Sequence, residues 1–434
     1  MRQNRYILKE QLSPNVFLYY NSFSNQFLFL DQTKHDYMEK GNFEVLRKND
    51  IGFYEILKDG LFLVEDDYDE LKVIMNQIHV MQTDQSYYHV MVNTTLDCNL
   101  NCWYCYENKI AGSKLSSKAI QAIQRNIEWE YNSSKFELLK LSFFGGEPFM
   151  DFGSIKLLLN YAKRFCEENR IQLIADFTTN AVLITKQQIE YLKQFRCHFQ
   201  ITLDGDRCIH NKVKYDRKNP SIDTYQKVID ILTMIDQVIP YRLLAVRINF
   251  DNRTLGKIDQ ILSDIDFLDR HHCYIILKKV WQVDRQVVDK NLLQDAIQKA
   301  FDKHFLLDYY IMPKGSVCYA CRQREVLFNY DGKVFKCSTI SRFNDANSLG
   351  KLDFSTGKIS WYEEKIHSWF EDLLPLDCKQ CKWFPVCLGP CNKQLLSHKG
   401  EKLCTFDAMN MDNKEYMMYS FKYHLLKNEL SNQL

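Results

Sequence analysis

Cys98-Asn99-Leu100-Asn101-Cys102-Trp103-Tyr104-Cys105 places three thiols in a C-x3-C-x2-C loop directly behind the strand-like run Tyr88 to Thr95. Structural zinc takes four protein ligands in a closed site, and no fourth Cys or His lies nearby. A 4Fe-4S cube takes one thiolate per iron, so three cysteines leave one iron open to an exogenous ligand. Spacing alone leaves zinc and cluster about even.

The strand that carries this loop opens a series. From Tyr87 to about Met312, short β-branched or aromatic runs alternate with longer amphipathic segments. Strands are expected over Tyr88 to Thr95, Leu139 to Phe144, Leu173 to Thr178, Phe199 to Leu203, Leu243 to Asn249 and Tyr274 to Val280. Helices are expected at Ser116 to Tyr131, Ile155 to Glu168, Thr185 to Phe195, Ile222 to Ile235, Leu255 to Leu268 and Asn291 to Leu307. Repeated strand-helix units imply a parallel α/β sheet, and six of them suggest an incomplete barrel. Chemistry in such folds sits at the C-terminal ends of the strands. Gly145-Gly146-Glu147-Pro148 follows the second strand, so it is expected at the same end as the thiols. Two glycines let a ligand approach the backbone, and a carboxylate accepts from an ammonium group. An amino acid's amine suits this site.

Outside this region the chain divides further. Residues 1–84 read as a small α+β module: a hairpin, Val16 to Tyr20 and Gln26 to Leu30, then a helical pattern over Phe62 to Met81 opening on Glu65, Asp66 and Asp67. Residues 313–410 lose periodicity and hold eight cysteines, and 411–434 read as a helical tail. Lys plus Arg number 56 against 55 Asp plus Glu, so no global field draws nucleic acid or an anionic membrane. No apolar run approaches the ~18 residues of a membrane span and no secretory h-region opens the chain, so a cytoplasmic protein is expected. Fifteen cysteines in that reducing compartment read as metal ligands before disulfides.

Together the thiol loop and the Gly-Gly-Glu-Pro turn resemble the radical S-adenosylmethionine superfamily, whose motif is C-x3-C-x-aromatic-C on the first βα loop, with Tyr104 as the aromatic. The resemblance covers about Tyr87 to Met312 and implies a partial (β/α)6 TIM-like barrel. It implies that Cys98, Cys102 and Cys105 hold a 4Fe-4S cluster whose open iron chelates the methionine amine and carboxylate. Gly145, Gly146, Glu147 and Pro148 would bind the amine. One electron would then cleave the sulfonium, giving a radical that abstracts hydrogen from substrate. Thr179 and Asn180 after the third strand, Thr202 and Asp204 at the fourth, and Arg247 on the fifth match positions that contact ribose or the methionyl carboxylate in related enzymes. The family's frequent Arg after the Asp-Gly pair is here Lys214.

Cys318-x2-Cys321, Gly332-x4-Cys337, Cys378-x2-Cys381-x5-Cys387-x3-Cys391 and Cys404 make two four-ligand sets. By themselves they read as two zinc ribbons. Behind such a barrel the string resembles the SPASM extension, which holds two auxiliary 4Fe-4S clusters. That implies Cys318, Cys321, Cys337 and Cys391 around one, and Cys378, Cys381, Cys387 and Cys404 around the other. Enzymes of this class mostly modify peptides or proteins, and reduction by a partner such as flavodoxin or ferredoxin is implied. In sulfatase-maturing relatives an Asp follows the cysteine of G-x4-C, whereas here Ser338 does, and a hydroxyl is a poor base. The N-terminal module resembles leader-peptide recognition domains. The reading is a maturase that cross-links a ribosomal precursor peptide. Anaerobic sulfatase maturation (formylglycine formation) is the alternative, and a non-catalytic zinc-bound peptide-binding scaffold is the alternative of another class.

Overall fold

The computed structural model describes residues 1–280, 287–309 and 315–432. Two compact units emerge: Met1–Gln82, Tyr310–Cys318 and Asp372–Leu425 in one, Thr83–Tyr309, Tyr319–Glu371 and Leu426–Leu434 in the other. The boundary expected at 312 lies outside the described residues.

The second unit is built on one sheet. All six expected strands form, over Tyr87–Thr95, Leu138–Gly145, Gln172–Thr179, Arg196–Thr202, Arg242–Phe250 and Cys273–Lys279. They pair in parallel in chain order. Two more parallel strands join the ends, Leu306–Tyr309 beside Cys273–Lys279 and Glu325–Asn329 beside Tyr87–Thr95. Three short antiparallel strands, Lys333–Phe335, Gly350–Leu352 and Ile359–Trp361, extend the sheet beyond Glu325–Asn329. The parallel α/β class therefore stands, with eight parallel strands among the described residues where six were expected.

The extra strands have physical reasons for escaping a periodicity reading. The helix expected over Asn291 to Leu307 ends at Asp302, and His304 turns with φ 59° before the chain extends into Leu306–Tyr309. Leu306 and Leu307 satisfy either pattern. Likewise the helix expected over Leu255 to Leu268 breaks into Asn252–Leu255 and Ile258–Asp264, with Gly256 capping the first piece.

Period-two alternation sorts the strands into two faces. Phe143, Phe177 and Phe199 share a register on three neighbouring strands and stack at 5.4 and 5.0 Å between ring centroids. All three are almost fully buried. Burying such a ring is worth about 2–3 kcal/mol, so this column is a principal glue of the sheet. One residue earlier, on the opposite face, Ser142, Asp176 and His198 share the adjacent register. That face is polar. Helices cover the apolar one and begin at side-chain caps: Ser116 accepts from Ala119, and Thr185 and Gln188 form a capping box.

In the first unit, Ile7–Ser13, Val16–Asn21 and Gln26–Leu30 form an antiparallel sheet with Val16–Asn21 in the middle. The expected hairpin is present, with a third strand ahead of it. Helices Gln32–Lys40, Phe43–Asn49 and Ile51–Asp59 follow and close a core around Leu46, Leu57 and Phe62. The helical pattern over Phe62 to Met81 is corrected at its start. Leu63–Val64 instead pairs with Arg2–Gln3, and the helix spans Glu70–Thr83, so Glu65, Asp66 and Asp67 precede it. Tyr6, Ile74, Ile78 and Phe384 form a second core. The tail forms a helix over Asn413–Asn432, and its Phe421 packs edge-on against Phe27 and Phe29.

Arg2 grips the buried Glu70 carboxylate with both terminal nitrogens, at 2.7 and 2.8 Å, and Arg5 adds its backbone N–H at 3.1 Å. Burial alone would raise the Glu70 pKa, but these donors outweigh it and hold it below the ordinary value. The stabilisation is thus complete above the usual carboxylate range and is lost as pH falls through the lowered folded value. Arg2→Met should cost about 1–2 kcal/mol, since the carboxylate loses two charged donors but keeps the Arg5 N–H and Arg2 itself is partly exposed. Urea unfolding at neutral pH checks the loss, and the difference from wild type should shrink on acidification.

Candidate active site

The thiol loop leaves the first parallel strand at Thr95 and is held from both sides. Asp97 accepts from the Cys98 N–H at 2.8 Å, from the Gly112 N–H at 3.1 Å and from the Arg217 guanidinium at 2.6 Å. Further along, Asn101 donates to the Tyr215 carbonyl, and Lys109 donates to the Leu100 carbonyl at 2.6 Å. Exposure rises along the loop, with Cys98 buried, Cys102 half-buried and Cys105 exposed. Burial pushes the Cys98 thiol up to about 12, so a bare thiolate is disfavoured there without a cation.

Gly145 and Gly146 are needed by the backbone they lie against. A Cβ on Gly145, whose φ is 109°, would meet the Thr95 carbonyl oxygen at 2.1 Å, and one on Gly146 would meet the Asp97 oxygen at 2.2 Å. Only glycine permits this approach. Two backbone bonds fasten it, Gly146 N–H to Thr95 at 3.1 Å and Glu147 N–H to Asp97 at 2.9 Å.

The Glu147 carboxylate is fully buried and accepts from Thr179 Oγ1 at 2.7 Å, Asn180 N–H at 2.8 Å and Phe149 N–H at 3.0 Å. Its side chain ties the second strand end to the third. Asn180 then reaches across to Asn99 at 2.9 Å, beside the Cys98 sulfur. Tyr104 is braced in the same manner. Its hydroxyl donates to the Asp204 carboxylate and accepts from Asn249 at 3.2 Å, and Arg247 donates to Asn249 at 2.9 Å.

These elements enclose a cavity of about 210 Å³. Of the residues expected at the site, Cys98, Cys102, Cys105, Tyr104, Gly145, Gly146, Thr179, Asn180, Thr202 and Arg247 line it. Glu147, Pro148 and Asp204 do not, and stand behind the lining. Lys214 does line it, 5% exposed and 3.9 Å from Asp204. Burial alone would lower the Lys214 pKa, but Cys102, Asp204, Cys98 and Cys105 outweigh it and hold the ammonium above its ordinary value. Sequence reasoning missed Asn249 and Gln200. Both sit two residues from expected sites, Arg247 and Thr202, so alternation along the strand points to them.

In the first unit, Cys378, Cys381, Cys387 and Cys404 line a separate cavity of about 700 Å³. Burial raises Cys378 to about 11, and Cys387, Cys381 and Cys404 add to the rise. Cys391 is raised chiefly by the adjacent Cys318 thiol. Cys321 and Cys337 are buried in the second unit, where Cys337 accepts from the Thr339 N–H at 3.3 Å. Among the described residues no three Cys, His, Asp or Glu side chains are arranged around a single ion.

Gly146→Ala should push the thiol loop off the turn and cost about 1–3 kcal/mol. Expected are a lower melting temperature and less iron retained after reconstitution. Gly153→Ala, where a Cβ meets nothing within 4 Å, is the control and should change neither.

Residues 92–264 match the Radical SAM superfamily. The radical SAM cyclopropyl synthase TigE of Paramaledivibacter caminithermalis is 24% identical over 265 residues, 57% of this chain and 50% of that protein. The chain thus spans about half the length of that relative. The cysteine-type anaerobic sulfatase-maturating enzyme of Clostridium novyi is 20% identical over 327 residues, 68% of this chain and 85% of that one. The fold is that of the solved structure described as native anSMEcpe with bound AdoMet and Cp18Cys peptide, with a TM-score of 0.58, 17% identity, and coverage of 80% of this chain and 100% of that chain. Residues 92–264, which match the Radical SAM superfamily, hold the three thiols and the glycine turn that line one cavity at the ends of parallel strands.

Proposed function

We propose that the protein is a radical S-adenosylmethionine peptide maturase that takes hydrogen from a ribosomally made precursor peptide and installs a side-chain cross-link or related modification. The observation that carries this reading is the convergence of three thiols, a bare glycine backbone and a buried ammonium on one cavity. Cys98, Cys102 and Cys105 hold a 4Fe-4S cluster. The backbone of Gly145 and Gly146 takes the methionine amine, while Lys214 supplies the cation that the family's Arg gives the carboxylate. Thr179, Asn180, Thr202 and Arg247 offer polar contacts to the rest of the cofactor. Asp204, Glu147 and Pro148 act from behind, holding Tyr104 and the turn in place. When bound, cluster and cofactor supply hydrogen-atom abstraction.

The eight C-terminal cysteines hold two further 4Fe-4S clusters, giving three in all, with flavodoxin or ferredoxin as reductant. No helix among the described residues is long and apolar enough to cross a membrane, and thiols that bind metal suit the reducing cytoplasm.

In the N-terminal module both outer strands, Ile7–Ser13 and Gln26–Leu30, pair on one side only among the described residues, as strand addition by an extended leader requires. Sulfatase maturation is the second reading, favoured by the matched relatives. Against it stands Ser338, whose hydroxyl is engaged with Tyr319 at 2.6 Å and is no base at neutral pH.

Co-expression under anaerobic conditions with a short reading frame next to the gene should yield a peptide that has lost two hydrogens. A neighbouring sulfatase converted to formylglycine, with the peptide untouched, would favour the second reading. A leaderless core peptide should react at least about tenfold more slowly than the full precursor, and separate leader should not restore it fully, because linkage supplies effective concentration. Equal rates would remove the role of the N-terminal module.

A further inference from the structure

A second cavity of about 320 Å³ lies against the first, sharing Tyr106, Phe144, Thr178, Gln200, Arg247 and Thr339 with it. Its wall is the polar face of the sheet. Asp176, on the third parallel strand, is 24% exposed into it and carries three neighbours. Lys140 Nζ lies at 3.2 Å, Ser142 Oγ donates at 2.7 Å, and His198 Nδ1 stands 4.0 Å away. Behind Ser142 a chain runs into the interior. His89 Nε2 is 2.6 Å from Ser142 Oγ, and His89 Nδ1 meets a carboxylate oxygen of Glu325, which is fully buried.

Two proton arrangements satisfy this chain, an imidazolium beside a carboxylate and a neutral imidazole beside a carboxylic acid, and burial selects the neutral one. Ser142 has a single hydrogen and gives it to Asp176, so His89 Nε2 must be the donor to Ser142. His89 Nδ1 is then bare. A bare nitrogen against a bare carboxylate oxygen would leave two lone pairs facing in the dark, so Glu325 carries the proton. Burial pulls both groups the same way, lowering His89 and raising Glu325. The chain ends on Asp176 as its one ionised acceptor. Burial alone would raise Asp176, but the Lys140 ammonium and the Ser142 hydroxyl outweigh it and hold its carboxyl below the ordinary range. The remaining charged groups that act on the chain are Lys336, which acts on Glu325, and Lys140 and Arg322, which act on both Glu325 and His89.

We infer that Asp176 is the proton acceptor for a substrate held in this second cavity, an inference that rests on the peptide-maturase reading. Forming a cross-link removes two hydrogens from the peptide. One would leave as a hydrogen atom, by the chemistry that cofactor and cluster supply when bound. Bond formation would release one proton, which Asp176 takes on Oδ1 or Oδ2, and one electron, for which a bound iron-sulfur cluster would be the acceptor. The other groups on this wall suit the task less well. Lys140 and Arg247 are cations, and His89 is enclosed. His198 is lowered by burial and stands 4.0 Å from Asp176, beyond hydrogen-bond distance.

Two measurements test this. With a precursor that the wild type modifies, Asp176→Asn should still form 5'-deoxyadenosine within about twofold of wild type, yet lose product by about 100-fold. Asp176→Glu should recover a substantial part, and His198→Gln should keep most. Full product formation by Asp176→Asn, or a parallel loss of 5'-deoxyadenosine and product, overturns the proposal. The second measurement needs no peptide. Nitrogen-15 spectra of histidine-labelled protein should show His89 neutral, protonated on Nε2, across roughly pH 5 to 8. A His89 that titrates there, or carries its proton on Nδ1, reverses the chain and also overturns the proposal. A wild-type enzyme that modifies no peptide while His89 behaves as expected sinks the maturase reading instead, and with it the substrate proton.

Discussion

The close approach of Gly145 and Gly146 to the carbonyls of Thr95 and Asp97 is the constraint on which the site depends. At 2.1 and 2.2 Å from where a Cβ would stand, those oxygens leave no room for any side chain. The two strand ends therefore meet backbone to backbone, and the thiol loop starts from a fixed point. From there the wiring runs around the sheet. Glu147 carries the second strand end to Thr179 and Asn180 at the third, and Asn180 returns to Asn99 within the loop. Asp204 and Asn249 bring the fourth and fifth ends to Tyr104. The links from Glu147 are buried hydrogen bonds whose loss would strand a polar group, and the others are partly buried, which makes the arrangement rigid as well as specific.

The same alternation that builds the sheet divides its labour. On one face Phe143, Phe177 and Phe199 stack and hold the layers together. On the other, one residue along, Ser142, Asp176 and His198 form a polar wall. Burying such groups is costly unless they are paired, and an apolar wall would be the more stable choice. A row of paired polar groups beside the thiol-lined cavity is accordingly a feature of chemistry more than of stability.

Much of this was legible in the residues. The six central strands were found because each is a short β-branched or aromatic run with an amphipathic segment behind it. The thiols and the glycine turn were found because their spacing is rare. Leu306–Tyr309 was lost because two leucines fit the preceding helix as well as a strand, and Glu325–Asn329 because its polar ends hide it among cysteines. The two glycines were expected to expose backbone to a ligand, whereas their first task is steric. Glu147 was expected to face an amine, whereas its carboxylate points into the protein. Distances of that kind arise from tertiary packing, which no spacing along one chain records.

The central claim is that Cys98, Cys102 and Cys105 hold the cluster that cleaves S-adenosylmethionine, apart from the thiols of the C-terminal region. It is tested most directly by replacing all three with Ala and measuring 5'-deoxyadenosine formation beside iron and acid-labile sulfide in anaerobically purified protein. The account predicts that 5'-deoxyadenosine disappears while iron and sulfide for the remaining clusters persist. Undiminished 5'-deoxyadenosine in the triple variant, or zinc without acid-labile sulfide in the wild type, would contradict it.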